Sequence, residues 1–328
     1  MSVTSQPRKR QRRPYYRRAA TILSCSVLLL TGCGSDSSTG AAPASSASPA
    51  ESYPRTVQAA NGPVTLATRP TRIVSLSATA TEMLFAVGAG PQVKAVDDQS
   101  NYPATAPRTK LSGFQPNLEA IAKYNPDLVV VSNDIKGLVA GLGKLKIPVL
   151  LSPAATKIED SYTQIKQIGT LTDHDGEASR LATTMQRDLA AAVSKTPKRP
   201  GTTVYHELGP DLYSANSRTF IGSLYSRLGL VNIADKAPKS AGDYPKLAAE
   251  FVLTADPDLV LLADTKCCKQ SAATVGARPG WSKLKAVRTG NVVPLDDDVA
   301  SRWGPRIVGL VQAVAARLAR LPAPAGTG

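Results

Sequence analysis

Thiols, carboxylates and two histidines are the groups in this chain able to do covalent, acid–base or metal chemistry. Cys33 follows Leu30-Thr31-Gly32, a small-residue approach that leaves a thiol open to modification. Cys267 and Cys268 are adjacent, and three states are open to them: a vicinal disulfide, a free pair or an intermolecular bridge. Outside the cytoplasm free thiols usually oxidise, and the vicinal bridge, a strained local loop constraint, is the favoured reading. Two cysteines without a supporting His or Cys make a poor metal site. Asp296-Asp297-Asp298 offers oxygens to a cation, but is more simply a solvated loop. His206, next to Tyr205, offers one nitrogen to iron, yet a lone histidine at a strand end is more simply structural; His174 falls at the start of a long helix. No Gly-x-Ser-x-Gly elbow, Walker loop, dinucleotide fingerprint or His-Glu-x-x-His is present. The chain reads as a binding protein with no catalytic residue, no resident metal and no cofactor.

The elements that must place these groups begin with an export segment. Seven basic residues (Arg8 to Arg18) precede an apolar run over residues 19–30, and small residues lead into Cys33. This order describes a secretory signal over residues 1–32. The run is far shorter than the ~20 residues of a spanning helix. Its ending resembles the lipobox of bacterial lipoproteins, which implies lipidation of Cys33 and an extracytoplasmic protein anchored to the cell membrane. Arg17-Arg18 fits either Sec or twin-arginine export. Residues 33–56, rich in Gly, Ser, Ala, Thr and Pro, cannot bury a core and read as a flexible tether. Removing the signal takes seven positive charges and no acid, so the formal +14 falls to +7. The remaining basic residues are scattered, without the clustering and interleaved aromatics of a nucleic-acid partner.

The rest alternates short apolar runs with helical patterns, the signature of α/β units. Leu128-Val129-Val130-Val131, Pro148-Val149-Leu150-Leu151 and Leu259-Val260-Leu261-Leu262 read as strands buried on both faces of a parallel sheet. Between the halves, Leu181, Met185, Leu189 and Val193 recur every fourth residue and predict a helix over about 176–193. At 1.5 Å per residue it spans roughly 27 Å, enough for a rigid connector. The expected division is a lobe over 57–155, a helical connector over 156–199 and a second lobe over 200–328.

An internal repeat supports two lobes. Glu119 stands seven residues before Pro126-Asp127-Leu128-Val129, and Glu250 seven before Pro257-Asp258-Leu259-Val260. Each copy reads as a short helix stopped before proline, then a buried strand. Each glutamate falls in the first helical turn, where the macrodipole favours a carboxylate. Two such copies predict a pseudo-twofold arrangement with both glutamates on one edge.

In this order the chain resembles the helical-backbone (class III) substrate-binding proteins of ABC importers, which include the cobalamin, ferric-siderophore and haem binders. The resemblance covers residues 57–321. It rests on Arg72-Ile73-Val74-Ser75-Leu76 with Thr81-Glu82, on Tyr102-Pro103, on the paired Glu/Pro-Asp-Leu-Val elements, and on Arg302-Trp303-Gly304-Pro305-Arg306. It implies an α/β fold: two similar α/β lobes bridged by one long α-helix, with the ligand cleft between the lobes and modest closure. It also implies capture of a metal chelate, and delivery to a permease dimer with its ATPase. In the cobalamin system one exposed glutamate per lobe docks on permease arginines, and these map onto Glu119 and Glu250; Glu82 reads as structural. Ligand contacts are expected from Tyr102, Phe114, Tyr213, Tyr244 and Trp303, whose flat rings suit a corrin, porphyrin or catecholate. Arg302, with Arg218 and Arg306, is expected to meet ligand acceptors through its planar fork. Phe114 and Tyr244 stand where the cobalamin binders carry tryptophans. The protein is expected to be a monomer. The second reading is a lipoprotein that binds ligand to signal without transport.

Overall fold

The computed structural model describes residues 53–321, so Cys33, the export segment and residues 33–52 of the tether lie outside the described residues. The first described residues already belong to the fold. The Tyr53 hydroxyl donates to the Leu171 carbonyl at 3.0 Å. Arg55, almost fully buried, pairs with Asp173 at 2.7 Å and Asp175 at 2.5 Å. A guanidinium is buried only where such partners meet it. Residues 53–56, expected to be tether, therefore belong to the fold, and 55 and 56 lie inside strand β1 (Arg55–Ala59).

After β1 come β2 (Gly62–Leu66), β3 (Ile73–Leu76), α1 (Ala78–Ala86), β4 (Val93–Val96), α2 (Leu118–Ala122), β5 (Leu128–Val131), α3 (Leu138–Lys144) and β6 (Val149–Leu151). Two helices follow, α4 (Ile158–Thr172) and α5 (Asp175–Lys195). The second half holds β7 (Thr203–Glu207), α6 (Phe220–Arg227), β8 (Val231–Asn232), α7 (Ala249–Ala255), β9 (Leu259–Leu262), α8 (Ala272–Gly276), α9 (Lys285–Arg288), β10 (Val292–Pro294), α10 (Asp297–Ala300) and α11 (Ile307–Ala319).

β1 and β2 form an antiparallel hairpin, and the other strands form two parallel sheets ordered β4-β3-β5-β6 and β10-β9-β7-β8. Numbered within its own lobe, each sheet runs 2-1-3-4, so the repeat seen in the sequence is a repeat of whole topology. The molecule is two similar α/β lobes joined by a helical connector. β5 and β9 are buried at every position, as continuous apolar strands covered on both faces require.

The backbone helix is α5, with Met185 and Leu189 buried and Leu181 and Val193 packed beside them. The periodicity did not reveal that α4 runs into it through Asp173 in a left-handed conformation. At that corner Gly169 of α4 meets Ala178 of α5: a methyl group on Gly169 would stand 2.3 Å from the Ala178 Cβ and 2.9 Å from the His174 carbonyl oxygen. Gly169→Ala is expected to cost about 1–3 kcal/mol, the range for overpacking a close contact. Urea denaturation checks it, and a loss below ~0.5 kcal/mol would show that the corner yields.

One apolar core joins the lobes. It takes Ile73, Leu128 and Val130 from the first sheet, Val204, Leu259 and Leu261 from the second, and Val311 and Val314 from α11. The opposite sheet faces have separate cores, around Val129 and Val131 in one lobe and around Val260 and Leu262 in the other. Wide opening would expose the shared core at about 25 cal/mol per Å² of apolar surface. Small movements are the ones this packing permits.

Candidate ligand cleft and docking edge

In a 2-1-3-4 sheet the connections from the adjacent first and third strands run to opposite sides, and the crevice this opens lies at the carboxyl ends of the strands. Here Ser77 follows β3, Asp97 follows β4 and Asn133 follows β5, and all three line one cavity of ≈ 240 Å³. The C-terminal lobe closes it with Asp298, Arg302 and Trp303. A larger hollow of ≈ 480 Å³ sits between Tyr162 of α4, Leu189 and Val193 of α5 and Arg227 at the end of α6. That hollow touches no strand end, and topology favours the cleft as the ligand site.

Glu82 of α1 ties the lobes together through Arg302 and Arg306. Its Oε1 accepts from Arg302 Nη1 at 2.8 Å and Arg306 Nη2 at 2.5 Å, and its Oε2 accepts from Arg306 Nε at 2.9 Å. Arg302 Nη1 also donates to Asn101 Oδ1, while its Nη2 donates to the Gln99 carbonyl and to Asp298 Oδ1, each at 2.9 Å. Arg302 was expected to present its fork to a ligand. It lines the cavity, but with only 8% of its surface exposed both terminal nitrogens are already engaged twice within the protein. Arg306 is likewise committed to Glu82, and its guanidinium stacks over the Tyr102 ring at 4.3 Å. Arg218 pairs with Asp243 at 2.7 Å.

The expected aromatics fall into two groups. Phe114 and Trp303 line the same cavity, and Tyr102 lies under Arg306 beside it. The Trp303 indole N–H donates to Gln164 Oε1 at 2.7 Å, which fixes the ring. In the C-terminal lobe, Tyr213 pairs with Lys246 in an isolated antiparallel bridge, and Ser214 N–H donates to the Pro245 carbonyl at 2.9 Å, which brings the loops of Tyr213 and Tyr244 together. Phe114, Tyr244, Tyr102 and Tyr213 are 69, 55, 46 and 44% exposed.

Glu119 and Glu250 occupy equivalent places, each in the first turn of its short helix and each exposed. Neither makes an ion pair or side-chain hydrogen bond among the described residues. Each helix directly precedes the third strand of its lobe, α2 before β5 and α7 before β9. The Pro-Asp of the repeat supplies the foundation. Asp127 accepts from the backbone N–H of Thr71 and Arg72, both at 2.8 Å, and Asp258 accepts from that of Thr203 at 2.7 Å. In both lobes this carboxylate pins the third strand to the start of the first.

The acid run is not a loose solvated loop. Asp297 accepts from the N–H groups of Thr265, Lys266 and Cys267 at 2.8, 2.8 and 3.0 Å. Asp296 caps α10, and Lys266 bridges it to Asp298 at 2.8 and 2.7 Å. Burial opposes ionisation of Asp298, but the Lys266 bond, Arg302 and Asn101 outweigh it and hold this carboxyl below the usual range. The Cys267 and Cys268 sulfurs lie 2.6 Å apart, and Asp297 shapes the turn that carries them. Burial first, then the neighbouring Cys268, push the Cys267 thiol up to about 12.

Behind that turn lie titratable groups that the sequence did not mark. Asp264 is fully buried, and neither carboxylate oxygen has a hydrogen-bond partner. Both Glu207 oxygens are held by Arg278, at 2.6 and 2.7 Å. Burial, then the charge of Glu207, pushes Asp264 up to about 7. His206 is buried against the Tyr225 hydroxyl at 2.9 Å, and burial pushes it down to about 4. No exposed face of His206 is left to meet iron. Ser77, Asp97, Asn133 and Asp298 are cleft residues that sequence reasoning did not assign; the signal for Asp298 was position, four residues before Arg302.

Residues 73–299 match the family described as periplasmic binding protein. A cobalamin-binding protein of Halobacterium salinarum is 31% identical over 261 residues, which cover 76% of this chain and 70% of that one. An ABC transporter substrate-binding lipoprotein of Bacillus subtilis is 27% identical over 311 residues, covering 90% and 94%. The periplasmic vitamin B12 binding protein of Vibrio cholerae shares the fold with a TM-score of 0.64, at 22% identity over 76% of this chain and 96% of that one.

Proposed function

The chain belongs to the periplasmic binding protein family, and from that premise we propose that it is the lipid-anchored receptor of an ABC importer, delivering a metal chelate to the permease. Cys33 is the anchor and the cargo sits in the cleft between the lobes. Tyr102, Phe114, Tyr213, Tyr244 and Trp303 supply flat contact area, and Arg302 shapes the wall. The observation that carries the reading is the matched pair Glu119 and Glu250. Two exposed, unpartnered carboxylates at equivalent places in the two lobes suit a permease with one arginine pocket per subunit. Among cobalamin, haem and ferric siderophores, the names of the curated relatives favour cobalamin. The protein acts as a monomer, by binding and small lobe movements rather than by catalysis.

The test is tryptophan fluorescence of the full-length protein in nanodiscs, titrated with cyanocobalamin, haemin and a panel of ferric siderophores. Trp281 is buried in the C-terminal core, so Trp303 is the reporter among the described residues. Submicromolar quenching by cyanocobalamin, lost in Trp303→Phe, is expected. Tight quenching by haemin or a siderophore alone keeps the receptor and changes its cargo. Silence toward every probe removes the importer reading.

A further inference from the structure

Resting on the lipid-anchored importer reading, we propose that the amino-terminal edge of the second sheet is a contact surface for anionic phospholipid headgroups, on which the receptor lies with its cleft turned away from the bilayer. The basic residues are scattered along the chain, but three stretches hold no acid at all: 189–206, 265–295 and everything after Asp298. The fold brings parts of all three to one place. β7, β8, β9 and β10 are parallel, so their first residues share an edge. Lys195, Lys198 and Arg199 lie just before β7, and Lys283, Lys285 and Arg288 just before β10. The end of α11 joins them: Arg317 donates to the Gly290 carbonyl and to Asn291 Oδ1, and Arg199 donates to the Leu321 carbonyl. The acids nearby are already engaged. Asp258 takes Lys285 at 2.5 Å, Asp256 accepts from the Lys285 N–H at 2.6 Å, and Glu159 takes Arg227 at 2.6 Å. Lys195, Lys198, Lys283, Arg288 and Arg320 are exposed and make no ion pair among the described residues.

Two further observations favour a lipid over a soluble anion. A hollow of ≈ 360 Å³ runs along the outer strand β10 with Val292, Val293, Ala313 and Ala316 in its wall and Arg317 and Arg320 beside them. Guanidinium groups next to an apolar wall suit an amphiphile, with its phosphate on the arginines and its carbon skeleton against the wall. The second observation is where the fold takes over from the tether. Tyr53 bonds the Leu171 carbonyl, and the next carbonyl, of Thr172, accepts from Gln92, which directly precedes β4. The tether therefore joins at the amino-terminal edge of the first sheet, whereas the cleft lies at the carboxyl ends. At ~5–6 Å times the square root of its length, a tether over residues 33–52 spans roughly 25 Å, so the bilayer is within reach of the domain. A lipid chain and a basic surface together make a two-signal membrane contact. Asp298, which follows β10, lines the cleft at the far end of the second sheet from this surface, so cargo can still enter.

The experiment is lysine footprinting by mass spectrometry on the full-length lipidated protein, in nanodiscs of phosphatidylcholine alone or mixed equally with phosphatidylglycerol. Acylation of Lys195, Lys198 and Lys283 is expected to be about fivefold slower on the anionic discs, as basic residues drawn onto such a surface require. Lys110 and Lys246, exposed on loops that leave the carboxyl ends of β4 and β8, are expected to react equally on both. The protection is expected to vanish at about 1 M salt, where charges are screened within ~3 Å. It should also vanish in Lys198→Glu/Arg320→Glu, read at Lys195 and Lys283. Equal rates on the two discs overturn the proposal and spare the importer reading. Slowing of every lysine alike overturns it too, since no particular face is then in contact. Soluble polyphosphate added over phosphatidylcholine discs separates the sources: equal protection of the same lysines would assign the surface to free phosphate polymers and overturn the lipid contact. A protein retained on neither disc removes the anchor, and this inference with it. Should the double variant fail to fold, the salt series on the wild type decides, and protection that persists at high salt overturns the proposal.

Discussion

Replacing Glu119 and Glu250 together by alanine is expected to abolish uptake while changing cargo affinity less than about twofold, as suits rim charges that act in docking. Both side chains are exposed, and neither takes part in the ion pairs that hold the lobes. Their cost to the fold is limited to the interaction of a carboxylate with a helix N-terminus, about 0.3–1 kcal/mol each. Neither glutamate lines the cavity, so the cleft keeps its walls. The measurement pairs uptake in cells with titration of the purified protein. Single replacements should each leave partial uptake, because one charged contact still sets register. Equal loss of affinity and uptake would move the glutamates from docking to binding. Full uptake by the double variant would remove the docking role, and with it the best reason for preferring an importer over a sensor.

The repeat made much of this legible before any coordinates. Apolar runs such as Leu128-Val129-Val130-Val131 read as strands buried on both faces, and two of them in matching frames imply two similar sheets. The periodicity of α5 was equally plain. What stayed hidden depends on pairs far apart in sequence. Glu82 meets Arg302 across 220 residues and Arg306 across 224, and local pattern holds no record of such partners. The same holds for Arg55, whose acids lie 118 and 120 positions away, so that the fold begins inside a stretch that reads as tether. Composition showed three consecutive aspartates as a solvated run. Their separate tasks, capping α10, holding the cysteine turn and facing Arg302, follow from tertiary placement alone. The vicinal cysteines were judged from compartment chemistry, whereas the turn that sets their distance is built by Asp297.

Asp264 carries the second large prediction: Asp264→Asn should gain stability over the wild type progressively as pH rises from about 4 to about 8. The carboxyl is pushed up from 3.8 to about 7, by burial first and then by Glu207, so the folded protein binds its proton more tightly than the unfolded chain. A group of that kind contributes stability that is fully present below its unfolded value and is lost as pH rises through its folded value. The wild type therefore forfeits this stability at alkaline pH. Asparagine is neutral throughout and forfeits none of it. The charged groups acting on Asp264 are Glu207, whose repulsion raises it, and Arg278, which lowers it. Cys267 is also within electrostatic reach, but with its thiol pushed up to about 12 it stays neutral over this window. His206 works in the opposite sense: its depressed value costs the fold stability as pH falls from 6.5 through about 4. Because both proteins keep His206, that term cancels in their difference. Thermal melts of the two proteins at pH 5 and pH 8 decide the matter. A gap that widens at pH 8 is expected, and a gap independent of pH would mean that Asp264 finds a partner for its charge and is ionised throughout.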